Sequence, residues 1–200
     1  MVTTQRFIKA KETAYANRLF RSRLEARWAV FLDTLRIRWE YEPERYELVS
    51  ISYLPDFWLP DLKIWLEIKP EEDEDADKMM GELADKTGFE GFVFTGKFDP
   101  KNVHDCDSLP QAHKVGPAFW DCSYVWCECP FCAVMGVEFE GRSARLDHLV
   151  SCRYATSEQK DSDRNHNWNS GRLQVAYLTA ANTRFEPEPH LPIDIRRFVR

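Results

Sequence analysis

The stretch from Tyr53 to Lys69, YLPDFWLPDLKIWLEIK, constrains this chain most, because two apolar-rich runs flank a short turn signal. Tyr53 to Leu59 and Ile64 to Lys69 each read as a strand, rich in the aromatic and β-branched residues that suit a pleated surface. Between them, Pro60-Asp61-Leu62-Lys63 starts with a proline and continues with polar partners, the composition of a tight hairpin turn. A turn centred there sets Asp56 directly opposite Glu67. Cross-strand neighbours on one face have Cβ atoms about 4.5–5.5 Å apart, a span that a small cation bridges through carboxylate oxygens. Lys69 follows Glu67 by two residues and shares its face, while Leu66 and Ile68 point into the opposite layer.

Two carboxylates and an amine on one sheet face are costly if dry and unpaired, and a divalent ion offsets that repulsion. Magnesium or manganese on Asp56 and Glu67 would lower the pKa of a bound water and stabilise charge on a scissile phosphate. Lys69 would position that water or help to deprotonate it. The matching reaction is phosphodiester hydrolysis.

The flanking elements are consistent with this site. Leu24, Trp28, Phe31, Leu32 and Leu35 share one face of a helix expected over Leu19 to Leu35. Trp39 to Leu48 alternates bulky and charged residues as a strand does. Beyond Pro70, the acidic run EEDEDAD opens a second expected helix that ends at Lys86-Thr87-Gly88, the charge order a helix dipole favours, and Phe89 to Thr95 reads as a fourth strand. The order is therefore helix, three strands, helix, strand.

Pro55-Asp56, with Glu67-Ile68-Lys69 following after ten intervening residues, resembles the signature of the PD-(D/E)XK nuclease superfamily, whose core has that same element order. The resemblance covers roughly residues 18–96 and implies an α/β, restriction-endonuclease-like core. It also implies a metal-holding role for Glu25, matching the glutamate that many members carry on the first helix. Ser22-x-x-Glu25 equally fits a capping box, in which Glu25 satisfies backbone N–H groups at the helix start. On this reading Glu25, Asp56, Glu67 and Lys69 are catalytic, Mg2+ or Mn2+ is the cofactor and DNA the partner. Arg18, Arg21, Arg23 and Arg27 are the candidate phosphate contacts.

The charge balance bears on that partner. A net charge of -6 disfavours nucleic acid, whose affinity comes largely from Lys and Arg, but residues 1–38 carry nine basic and three acidic side chains. The acid is concentrated instead in residues 51–77, with nine acidic and two basic side chains. Glu71 to Asp77 is best read as a solvated helix face. No run approaches the roughly 20 apolar residues of a membrane span, and the polar start MVTTQRFIKAKETAYANR lacks a secretory apolar stretch, so the expected compartment is cytoplasmic.

In a cytosolic chain the six cysteines stay reduced, and three of them crowd into Cys127, Cys129 and Cys132. Cys129-Pro130-Phe131-Cys132, His148 and Cys152 give C-x2-C-x15-H-x3-C, a finger-like spacing for zinc, with Cys127 as an alternative ligand. Four protein ligands leave no open position, so that zinc is structural. A short hairpin at Val134 to Phe139 and a helix at Arg142 to Cys152 are expected between the ligand pairs. Another helix, Gly171 to Phe185, would pack on the module through Leu173, Val175, Ala176, Tyr177, Leu178 and Ala181. Cys106, Cys122, His104, His113 and His166 read as packing or surface residues.

The expected organisation is a nuclease core at 1–97, a linker at 98–116 marked by Asp99-Pro100, Leu109-Pro110 and Gly116-Pro117, and a small zinc-binding module at 117–200 with a terminal helix. The module could hold a protein partner. Two further functions compete with metal-dependent cleavage of DNA: a zinc-containing nucleic-acid-binding or adaptor protein with an inactive nuclease-like core, and an acidic inhibitor of a DNA-binding protein.

Overall fold

In the computed structural model, which describes residues 10–103, 108–115, 123–139, 152–154, 156 and 169–185, the chain opens with a hairpin. Strands β1 (Thr13–Tyr15) and β2 (Arg18–Phe20) pair antiparallel across Ala16 and Asn17, both at positive φ. The first helix therefore starts later than its apolar periodicity predicts. Leu19 and Phe20 belong to β2, and α1 (Arg23–Leu35) begins only after Ser22, whose Oγ accepts the Glu25 N–H at 3.1 Å. Arg36, in the left-handed region, closes α1 by donating its N–H to Asp33 and Leu32 carbonyls.

The strand expected over Trp39 to Leu48 is two pieces, β3 (Glu40–Tyr41) and β4 (Tyr46–Glu47), separated at Glu42, which has φ 46°, and the Pro43 that follows. Tyr53 to Leu59 likewise divides into β5 (Ser52–Tyr53) and β6 (Phe57–Leu59) around Leu54-Pro55-Asp56. A proline lacks the N–H that a ladder needs, so pairing lapses at both places. β4 and β5 form a small separate hairpin, while β6 pairs with β7 (Ile64–Lys69) in the predicted register, Phe57 opposite Leu66 and Leu59 opposite Ile64.

Helix α2 (Glu74–Thr87) uses Asp73 as its N-cap, accepting from the Asp75 and Ala76 N–H groups, and stops at Gly88 with φ 73°. Glu74, Asp75 and Asp77 occupy its first turn and Lys86 its last. The acidic run is thus a helix start. β8 (Glu90–Thr95) then returns parallel to β7.

Residues 98–116, expected as a linker, carry a strand. β9 (Gln111–Val115) pairs antiparallel with β8, followed by β10 (Ser123–Glu128) and β11 (Met135–Phe139), so one sheet runs in the order β11-β10-β9-β8-β7-β6-β3. The sheet is continuous across the expected boundary. The short hairpin expected at Val134 to Phe139 is a single strand, β11, with Gly136 opposite Cys127. The expected helix at Arg142 to Cys152 falls almost entirely outside the described residues.

The protein is a mixed α/β fold with a mixed sheet and, among the described residues, three helices. One sheet face meets α2, where Ala76, Met80 and Leu83 bury against Trp65, Val93 and Tyr53. The other meets α1 and α3 (Gly171–Asn182), with Trp28, Phe31, Leu32, Leu66, Ile68, Phe94, Trp126 and Tyr177 in one core. The terminal helix, expected to lie on the zinc module, touches it at β10 but packs chiefly on α1, Tyr177 against Phe31 at 4.7 Å between ring centroids, and Val175 turns outward at 56% exposure.

Candidate metal centre

The site lies where β6 and β7 part. Asp56 sits one residue before β6, and the hairpin register brings its backbone N–H to 3.3 Å from Glu67 Oε2. Because β6 has not yet begun, the Ile68 N–H lacks the ladder partner that a longer strand would supply there. It donates to Asp56 Oδ2 at 2.8 Å. Asp56 Oδ1 accepts from Arg21 Nη2 at 2.7 Å, and Arg21 Nε also meets Glu42 Oε1 at 2.5 Å.

Glu67 is equally well anchored. Its Oε2 accepts from Tyr53 Oη at 2.6 Å, and its Oε1 lies 2.9 Å from Lys69 Nζ. Lys69 also faces Asp73, the α2 cap, at 3.9 Å. Glu25, in the first turn of α1, accepts from Tyr41 Oη at 2.5 Å, and the same hydroxyl accepts the Arg21 N–H. Ser22 therefore makes its half of the capping box. The Glu25 carboxylate is bound by Tyr41, within electrostatic reach of Asp56.

Three carboxylates here are almost wholly shut off from solvent, at 7% exposure for Glu25, 2% for Asp56 and 3% for Glu67. Burial first, then the charges of Glu67 and Glu25, hold the Asp56 carboxyl well above the usual range, against the opposing pull of the Ile68 N–H and Arg21. Lys69 moves upward: burial opposes its charge, but Glu67 and then Asp56 outweigh it, so the amine stays protonated at neutral pH. Burial and Glu67 raise Tyr53, and burial and Glu25 raise Tyr41, keeping both hydroxyls as donors.

The three carboxylates are not drawn into mutual ligating distance. Among the described residues, the group of metal-ligating side chains whose donor atoms lie within 4.8 Å of one another is Cys129, Cys132 and Cys152. Arg21 takes an Asp56 oxygen and Lys69 a Glu67 oxygen. Sequence reasoning missed Tyr41, Tyr53 and Glu42, and placed Arg21 among phosphate contacts rather than on Asp56. Only the fold could reveal these partners, since Tyr41 and Tyr53 come from other strands and Arg21 and Glu42 from the segments just after β2 and β3.

The other basic residues are differently disposed. Arg18 lies over the Trp39 ring at 5.7 Å and is exposed, as is Arg23. Arg27, expected as a phosphate contact, instead donates Nη1 to the Ala180 and Ala181 carbonyls at the end of α3 and covers Phe185. Its guanidinium satisfies carbonyls that a helix end leaves without partners.

Cys129, Cys132 and Cys152 can hold a metal ion such as zinc. Burial and the adjacent Cys129 and Cys152 thiols push the Cys132 thiol up to about 11, against the Val134 N–H. Cys127 is buried beside them but stands outside this group, and His148 lies outside the described residues. Three strand steps, about 14 Å at the usual spacing, separate β7 from β10, and the register sets Glu67 level with Ser123, six residues or about 20 Å along the strand from Cys129. The thiols are a second, separate candidate centre. No helix among the described residues is long and apolar enough to cross a membrane. No family model, curated protein or solved structure matches the chain.

Proposed function

We propose that the protein is a divalent-metal-dependent nuclease with a restriction-endonuclease-like core, cutting phosphodiester bonds of DNA at Glu25, Asp56, Glu67 and Lys69. The observation that carries this reading is the dry carboxylate trio, whose middle member, Asp56, is held far from its ordinary ionisation by burial and by its two neighbours. A site that disfavours its own charge gains most from a cation.

The residues present fit magnesium or manganese, which favour carboxylate oxygens. Asp56, Glu67 and Glu25 would hold the ion, and Arg21 and Lys69 would release carboxylate oxygens to it. Both side chains reach the surface and have room to withdraw, at 55% and 25% exposure. When bound, the ion supplies Lewis-acid stabilisation of phosphate charge and a more acidic water. Lys69, kept cationic by Glu67, would offer positive charge to a phosphate oxygen that gains charge during cleavage. Tyr53 and the Asp56 N–H fix the Glu67 carboxylate, and Tyr41 fixes Glu25. Arg18, Arg23 and a withdrawn Arg21 are available to the nucleic-acid backbone.

A second reading rests on one observation: Arg21 already occupies Asp56 Oδ1. A core occupied in this way would bind nucleic acid without cutting it, as an adaptor with an inactive nuclease-like core. The acidic-inhibitor reading loses its footing, because the N-terminus of α2 accounts for the acidic run.

The deciding experiment incubates the purified chain with single-stranded, nicked, branched and duplex DNA and with RNA, in magnesium or manganese, beside Asp56→Ala and Lys69→Ala. Melting curves verify that both variants fold. Cleavage that falls about 100-fold or more in both variants supports the nuclease. Equal cleavage by wild type and variants overturns it, and binding without cleavage supports the adaptor.

A further inference from the structure

We propose that Cys129, Cys132 and Cys152 bind one zinc ion as thiolates, with Cys127 outside the shell, and that this ion staples the chain at Cys152 to the loop joining β10 and β11. The loop is already shaped for it. Cys129 donates its N–H to Val134 O at 2.8 Å, and Ala133, at φ 60°, donates its own to Cys129 O at 2.9 Å. The Cys-Pro-Phe-Cys turn is thus closed by two backbone bonds that hold Cys129 and Cys132 on the same knuckle.

Distance chooses between zinc and a disulfide. Cys129 Sγ and Cys152 Sγ are 3.9 Å apart, nearly twice the roughly 2.05 Å of an S–S bond. A tetrahedral zinc with Zn–S bonds of about 2.3 Å requires its sulfurs to be about 3.8 Å apart. Soft sulfur donors also select zinc over the hard cations suited to the carboxylates.

Among the described residues, the buried cluster at this corner is small: Val125, Cys127, Cys129 and Cys152, with Phe131 and Cys132 packed against it. Cys127 faces Gly136 across the β10–β11 ladder and contributes to that packing.

Arg172, near the start of α3, braces the same loop from outside. Its Nη1 donates to Glu128 Oε1 at 2.7 Å and to Ala133 O at 2.9 Å, and its Nη2 reaches Leu35 O at 3.5 Å. One guanidinium therefore joins both ends of the cysteine loop to the end of α1. The ion holds the loop from the Cys152 side and Arg172 from the helix side.

The test is the metal content of the full chain as purified, together with the absorption of its cobalt(II)-exchanged form. One equivalent of zinc, with thiolate-to-cobalt charge transfer and tetrahedral d–d bands, is expected for wild type, Cys127→Ser and Asp56→Ala. Cys132→Ser should fall to about a tenth of an equivalent or less. Cys132 lies at the turn and is only half-buried, which makes its variant the one best able to fold. A second measurement needs no variant. Chelation should speed hydrogen exchange at the Cys129 and Ala133 amides about tenfold or more while leaving the Gly88 amide, bonded to Ala84 O away from both sites, unchanged. Absence of metal, a disulfide mass in its place, metal retained by Cys132→Ser, metal lost from Cys127→Ser, or unchanged exchange at Cys129 and Ala133 would each overturn the proposal.

Discussion

Adding magnesium or manganese should stabilise this protein by an amount that grows with pH. Three carboxylates, Glu25, Asp56 and Glu67, face two cationic groups, Arg21 and Lys69, in a nearly dry site. Asp56 is raised from an ordinary value of 3.8, so between that value and its folded value the native state holds a proton that the unfolded chain has lost. Native stability is therefore greatest below the unfolded value and declines as pH rises through the folded one. A cation that replaces this proton removes the penalty. At one hundred times its dissociation constant it adds about 2.7 kcal/mol. For a chain of this length each kcal/mol is worth about 2–4 °C, so the melting temperature should rise by about 5–10 °C near pH 7.5. The shift should shrink towards zero as Asp56 protonates. Differential scanning fluorimetry at several pH values, with and without millimolar manganese, measures it. A shift that is absent, independent of pH, or unchanged in Asp56→Asn would refute the reasoning.

Other perturbations isolate single contacts. Tyr53→Phe removes the hydroxyl donor to a buried Glu67 and should cost about 2 kcal/mol in urea melts while weakening manganese binding. Arg21→Gln should raise Asp56 further, lower stability at neutral pH without metal, and enlarge the cation-induced melting shift; NMR titration of the Asp56 carboxyl carbon reads the first effect directly. Gly91→Ala would drive a methyl to 2.4 Å from Met80 Sδ, so the buried Met80 side chain must repack at a cost of about 1–3 kcal/mol by chemical denaturation. Arg27→Met should loosen α3, seen as faster amide exchange in its last turn, with no change in the salt dependence of DNA binding.

How much of this was legible in the sequence depends on the range of the interaction. The β6–β7 register follows from four turn residues and a strict two-residue alternation, and it places Asp56 beside Glu67 and Lys69 on the face of Glu67. The caps of α2, Asp73 and Gly88, are equally local. Proline outweighs alternation here: Pro43 and Pro55 interrupt runs whose pattern of bulky and charged residues is otherwise continuous. β9 is hidden because its five residues, QAHKV, sit between Pro110 and Gly116-Pro117 and, of Gln111 to Lys114, only the small Ala112 is buried. Only its neighbours β8 and β10 make it a strand.

The supporting shell of the site was illegible for the same reason. Tyr41 and Tyr53 look like any aromatic in an alternating strand, and their hydroxyls find Glu25 and Glu67 only once α1 and the hairpin have been assembled. The apolar face of Gly171 to Asn182 was visible, but which surface it covers depends on Phe31 and Trp28 from far along the chain. Among the cysteines, Cys129 and Cys132 follow from local spacing. The choice against Cys127 required the fold to bring Cys152 to the knuckle.

If Glu25, Asp56 and Glu67 share one cation, manganese anomalous scattering from crystals grown with the ion should show a single strong peak between Asp56 and Glu67, with Glu25 oriented to it and Arg21 withdrawn from Asp56 Oδ1. An Arg21–Asp56 pair left intact, with no manganese between the carboxylates, would contradict that arrangement.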